Sequence, residues 1–141
     1  MSLTEIDRQE VVKYRLKKAQ DTFAQVPVLM ENKFFITAAN RLYYACFYAV
    51  TALLIADGYK THTHGGVKTL LGLHYIMKNK IEKSYSKTYA RLFNLRQSGD
   101  YEDLFDIDES DIIPLLEPAE QFIKTIENLI NNNKINESAD F

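Results

Sequence analysis

Ala38-Ala39-Asn40-Arg41-Leu42-Tyr43-Tyr44-Ala45-Cys46-Phe47-Tyr48-Ala49-Val50-Thr51-Ala52-Leu53-Leu54-Ile55-Ala56 is the stretch on which the fold turns. Apart from its three tyrosines, its only polar members are Asn40, Arg41 and Thr51. A helix that is apolar on every side is the buried centre of a bundle or a membrane span. At 19 residues it is short for a span, which takes ~20 strongly apolar residues. Its polar members argue the same way. Arg41, Tyr44 and Tyr48 recur at i, i+3 and i+7, so they form a stripe along one side of an otherwise greasy rod. A central helix over Phe34–Asp57 is therefore expected, with no membrane crossing.

Working outward, Val12, Leu16, Ala19, Phe23, Val26 and Met30 repeat in steps of four and three, the seam of a first helix over 6–32. Pro27 should kink that helix without ending it. The brief Asn32-Lys33 connection predicts an antiparallel hairpin with the central helix. Asp57-Gly58 closes the central helix, and Thr61-His62-Thr63-His64-Gly65-Gly66 reads as loop. A short third helix follows over Val67–Tyr75, weakened by Gly72. A fourth runs over Lys83–Ser98, with Tyr85, Tyr89, Leu92, Phe93 and Arg96 on one side and Gly99 as its stop. Acids at Glu109 and Asp111 open the last helix, where they suit the positive end of its dipole. The pattern predicts an all-α antiparallel bundle of four to five helices, one domain over 1–132 followed by a polar tail at 133–141.

The bulk composition, 46% hydrophobic and 26% charged over 141 residues, suits one domain with a real core. The single cysteine, Cys46, has no internal disulfide partner and reads as a small buried hydrophobe. The amino-terminal MSLTEIDRQE has no apolar run of a secretory signal, so the cytoplasm is the expected compartment. Charge is divided along the chain. Residues 60–96 hold eight bases and one acid, and residues 101–117 hold seven acids and no base. An anionic ligand on one surface and a basic partner on another would suit this, as would two solvated faces of opposite sign.

Arg96 stands at the edge of the fourth helix's apolar stripe, followed by Gln97-Ser98-Gly99-Asp100-Tyr101. A charge drawn halfway into a core needs a partner. One solution is an Arg41–Asp100–Arg96 network with tyrosine hydroxyls that fixes the bundle. The other is an anion site in which arginine forks grip phosphate. His62 and His64, two apart in a loop with no cysteine nearby, lack a zinc spacing, and neither a metal nor a cofactor is expected.

Three segments together carry a resemblance: Asn40-Arg41-Leu42-Tyr43-Tyr44-Ala45-Cys46-Phe47-Tyr48, Thr63-His64-Gly65-Gly66-Val67 and Leu95-Arg96-Gln97-Ser98-Gly99-Asp100-Tyr101. In that order they resemble the HEPN domains, in particular the small stand-alone branch called UPF0332. The resemblance spans Tyr14 to Ile130. It implies a helical bundle that forms a homodimer and is paired with a minimal nucleotidyltransferase partner, the two behaving as toxin and antitoxin.

Many HEPN proteins are also metal-independent ribonucleases. They place an Arg, then four to six residues, then a His at the end of a late helix, and bracket the RNA backbone between two copies. Arg96 matches the Arg, and Tyr101 stands where the His would be. A phenol with a pKa near 10 is a poor general base at neutral pH. The resemblance thus implies a module that binds RNA or nucleotide, the partner, or both. The alternative is an endoribonuclease toxin with Arg96 clamping the transition state and His64 or Tyr101 moving protons. In the binding module the polar seam, with Arg41, Tyr44, Tyr48 and Asp100, takes the ligand, whereas a third possibility is a helical oligomer whose polar seam serves only its own interface.

Overall fold

The computed structural model describes residues 4–60, 63–101 and 106–139. His62, Leu104 and Phe105 lie outside them. Five α-helices follow in order: α1 Glu5–Glu31, α2 Phe35–Ala56, α3 His64–Leu71, α4 Lys83–Tyr101 and α5 Glu109–Ala139. No strand occurs among the described residues. The all-α bundle expected from the apolar periodicity is the fold observed.

Thr4 starts α1 by accepting the Asp7 N–H on its hydroxyl at 3.1 Å, one of the donors a helix start leaves open. Val12, Ala19 and Val26 repeat every seven residues and are buried, and the helix continues through Pro27 to Glu31. It ends in a Schellman turn. Lys33 N–H donates to the Met30 carbonyl at 3.0 Å and Phe34 N–H to the Leu29 carbonyl at 2.9 Å, with Lys33 left-handed at φ 62°. The same turn closes α2, with Gly58 at φ 87°, and recurs at Asn79, φ 57°. Arg8 near the start of α1 lies against Gly58 at the end of α2, so the two helices are antiparallel.

The α2 helix is the axis of the bundle, packed by α1, α4 and α5. Leu42, Tyr43, Ala45, Cys46, Ala49, Val50, Ala52, Leu53 and Leu54 are fully buried. Each buried leucine contributes about 1.5–3 kcal/mol of apolar transfer. Burial also pushes the Cys46 thiol up to about 12, which keeps it an inert hydrophobe. By length and apolarity alone α2 could cross a membrane, yet 67% of its most apolar stretch is inside the bundle.

Two expected boundaries are corrected. His64, Gly65 and Gly66 form the first turn of α3, where a loop was expected. The Thr63 side chain accepts the Gly66 N–H at 2.9 Å, and a Cβ at Gly66 would meet that oxygen at 2.9 Å. Gly66 therefore serves the cap and does not break the helix. Gly99 does not stop α4, which runs on to Tyr101. A Cβ there would meet Ile36 at 3.3 Å and Ile107 at 3.6 Å, so this glycine admits neighbours.

Beyond α3 the chain widens into a π-helical turn, Gly72–Ile76, closed by Met77 N–H to the Gly72 carbonyl at 2.9 Å. Leu73 is exposed, while Tyr75 is buried and its hydroxyl donates to Asp57. At the start of α5, Asp108 accepts from Ser110 N–H, and Asp111 reaches back to Asp108 N–H at 3.1 Å, a reciprocal cap. The Ser110 hydroxyl, which donates to the same carboxylate, and then the Ser110 N–H hold the Asp108 carboxyl below its usual range.

Candidate functional site

The side chains expected to carry function come from α2, α3 and α4. Tyr43 and Tyr44 are neighbours on α2 and leave it at about 100° to each other, as consecutive helical residues must. Tyr43 is buried, and Tyr44 is half-buried. Arg96 of α4 projects across both. Its guanidinium carbon is 5.8 Å from the Tyr43 ring centroid and 5.5 Å from that of Tyr44, and a terminal nitrogen donates to the Tyr44 hydroxyl at 3.2 Å. Asp100, one turn further on, stands 2.9 Å from Arg96 Nε. That N–H is buried and is not aligned on the carboxylate, so the attraction is Coulombic more than a directed hydrogen bond. The Arg96 side chain is 14% exposed and Asp100 32%, a half-drawn pair at the edge of the core.

Arg41 belongs to the same cluster by a different route. Its Nε and terminal nitrogen both donate to the Asn40 side-chain oxygen, at 3.1 and 2.8 Å, and its guanidinium carbon is 5.1 Å from the Tyr44 ring centroid. No Arg41–Asp100 ion pair forms among the described residues. Half of the expected three-member network is present, and Arg41 is satisfied by its own neighbour. The Tyr44 ring thus has two guanidinium groups against it, the cation–π arrangement that arginine favours.

His64, at the first position of α3, faces the cluster. Its Nδ1 is 2.9 Å from the Tyr43 hydroxyl, and its ring lies 4.5 Å from Phe47 and 5.6 Å from Tyr44, centroid to centroid. Burial, then the positive charge of Arg96, lower its pKa, so the imidazole is neutral at pH 7. Burial raises the Tyr43 pKa, and the phenol stays protonated. The Thr63 hydroxyl caps α3. Tyr48, one turn beyond Tyr44, has its ring 5.8 Å away and carries the Lys18 ammonium of α1 at 4.7 Å. Tyr101 is the last residue of α4, and its side chain lies outside the described atoms.

The structure therefore gathers Arg41, Tyr44, Tyr48, His64, Arg96 and Asp100 at one place. Asn40 and Tyr43 join them, while Lys18 borders the cluster at Tyr48 and Lys68 lies 4.9 Å from the Phe93 ring, which packs on Tyr43. Asn40 and Tyr43 adjoin the expected pair and were legible as neighbours. Nothing in the sequence spacing signalled the two lysines, which come from other helices. Among the described residues no group of His, Cys, Asp or Glu is arranged to hold a metal ion.

The HEPN domain family model matches residues 12–129, and the chain belongs to that family. Its relatives narrow the branch to the proteins designated UPF0332. A UPF0332 protein of Thermotoga maritima is 32% identical over 128 residues, which are 91% of this chain and 97% of that protein. The protein named "Putative toxin MJ0605" of Methanocaldococcus jannaschii is 30% identical over 67% of this chain and 71% of its own length. A UPF0332 protein of Archaeoglobus fulgidus is 26% identical over 85% of this chain and 95% of its own.

Proposed function

We propose that this chain is a cytoplasmic, homodimeric HEPN module that binds single-stranded RNA or nucleotide at the Arg41–Tyr44–Arg96 cluster, beside a nucleotidyltransferase partner in a toxin–antitoxin-like pair. One observation carries the binding reading: two guanidinium groups stand within 5.5 Å of the Tyr44 ring centroid at the rim of the core. Cations beside an aromatic face are what a phosphate and its base require. The name of the Methanocaldococcus relative supports the toxin part, and the family resemblance supports the partner.

A second reading, endoribonuclease, is favoured by His64. Its imidazole is neutral at pH 7 and shares the cluster with Arg96, so an acid–base group and an anion clamp occur together.

The test is fluorescence anisotropy with a labelled single-stranded RNA, across a salt series, with EDTA present and cleavage followed on a gel. Binding should weaken with salt, and Arg41→Ala or Arg96→Ala should each flatten that slope by ~0.7 for every phosphate the variant no longer neutralises. Uncut RNA bound in this manner establishes the module. Cutting that Arg96→Ala and His64→Ala both abolish establishes the nuclease. RNA affinity indifferent to salt and to both arginines, with only oligomer stability lowered in Arg96→Ala, would leave a structural seam and refute both.

A further inference from the structure

The basic run at Lys13-Tyr14-Arg15-Leu16-Lys17-Lys18 on α1 lies outside the arginine cluster. Its six residues hold four cations and no acid. Leu16 packs toward the core, whereas Lys13, Tyr14, Lys17 and Lys18 are exposed, Tyr14 at 63%. Lys17 is paired with Asp21 at 3.0 Å, and the large Tyr14 ring left in water beside Lys13 and Lys18 has no packing role to explain it. Lys18 lies between two rings, 5.8 Å from the Tyr14 centroid and 4.7 Å from that of Tyr48 on α2. Tyr48 in turn is 5.8 Å from Tyr44, which touches Arg96. The side chains Tyr14, Lys18, Tyr48, Tyr44 and Arg96 therefore form one row from the solvent face of α1 to the arginine cluster, with rings and cations interleaved.

We infer that this row is a track for single-stranded RNA, which leaves the arginine cluster along α1 with a base stacked on Tyr14 and the adjoining phosphate on Lys18. The inference rests on the RNA-binding reading above and extends it. Successive members stand 4.7–5.8 Å apart, close enough for one strand to meet them in turn, and stacking on ring faces is tolerant of sequence. An acidic protein segment would satisfy the lysines but has no use for the exposed ring face, so RNA is the occupant that uses both halves of the row.

The test compares oligoadenylates of about 3 and about 12 nucleotides, the first filling only the cluster and the second long enough to reach α1. Tyr14→Ala and Lys18→Ala should each weaken the long oligomer about tenfold and leave the short one within about twofold, and Tyr14→Phe should behave as wild type. Lys18→Ala should also lower the salt slope of the long oligomer by ~0.7 and leave that of the short one unchanged. Both positions are exposed, and far-UV circular dichroism confirms that the variants fold. If these variants bind the long oligomer as wild type does while Arg96→Ala weakens both lengths, the track is wrong and the cluster stands. If wild type binds neither length, the RNA reading itself fails and the track with it. Loss of self-association or of a protein partner, with RNA affinity intact, would make this face a protein contact and overturn the inference.

Discussion

Neutralising Asp100 should tighten RNA binding while it weakens the fold. The carboxylate stands 2.9 Å from Arg96 Nε and competes with any anion for that guanidinium. A phosphate hydrogen-bonded to the terminal nitrogens of the same group would hold its charge about 6 Å from the carboxylate. Two like charges at that distance repel by ~0.7 kcal/mol at the dielectric of water and ~3 kcal/mol at an effective value near 20. Taking ~1.4 kcal/mol for this rim position, Asp100→Asn should raise affinity about tenfold in low salt, with the gain shrinking as salt is added.

Stability moves the other way. The variant leaves a cation that is only 14% exposed without its counter-charge, at a cost of about 1–2 kcal/mol. Removing an acid from the last turn of α4 returns about 0.5 kcal/mol through the helix dipole, so a net loss of ~1 kcal/mol is expected. Anisotropy gives the first quantity and urea unfolding the second. The gain in affinity should vanish in the Arg96→Ala background. An Asp100→Asn protein that binds RNA more weakly than wild type would show that the carboxylate positions the guanidinium for RNA and does not compete with it, and the reasoning would be refuted.

Two further outcomes follow from local geometry. Lys33→Gly should stabilise the protein by about 0.5–1 kcal/mol in urea unfolding, because a left-handed residue with a Cβ is strained and glycine is not; an unchanged midpoint would mean the turn carries no strain. His64 has its pKa lowered in the folded state, so the unfolded chain binds its proton first. The contribution of His64 should therefore be complete above about pH 6.5 and be lost progressively as the pH falls toward the folded-state value. His64→Gln should flatten that part of the stability–pH profile, and an equally steep fall in the variant would assign it to other groups.

The central helix was legible because a rod apolar on all sides leaves few alternatives, and the seam of α1 because its spacing is regular. The glycines were harder. Gly66 and Gly99 read as breakers, since glycine is a weak helix former, but each is set by a side chain for which it must leave room. Gly66 leaves room for the Thr63 hydroxyl and Gly99 for Ile36 and Ile107. Local propensity does not contain those contacts. The π turn left no periodic signature for the same reason. In the site, Arg96, Asp100 and Tyr44 were legible because a guanidinium beside an apolar stripe demands partners within reach. The partner of Arg41 was not, because Asn40 satisfies it next door, and spacing alone does not rank an adjacent amide against a carboxylate on another helix.

Tyr43 shows how closely cluster and interior are joined. Fully buried, its ring touches Tyr89 and Phe93 on one helix and backs Arg96, while its hydroxyl meets His64 on another. Whatever trims or enlarges that phenol to improve cohesion also relocates a guanidinium and an imidazole. Variation in this lineage is therefore expected to travel in groups, with the tyrosine and its polar neighbours replaced together or kept together.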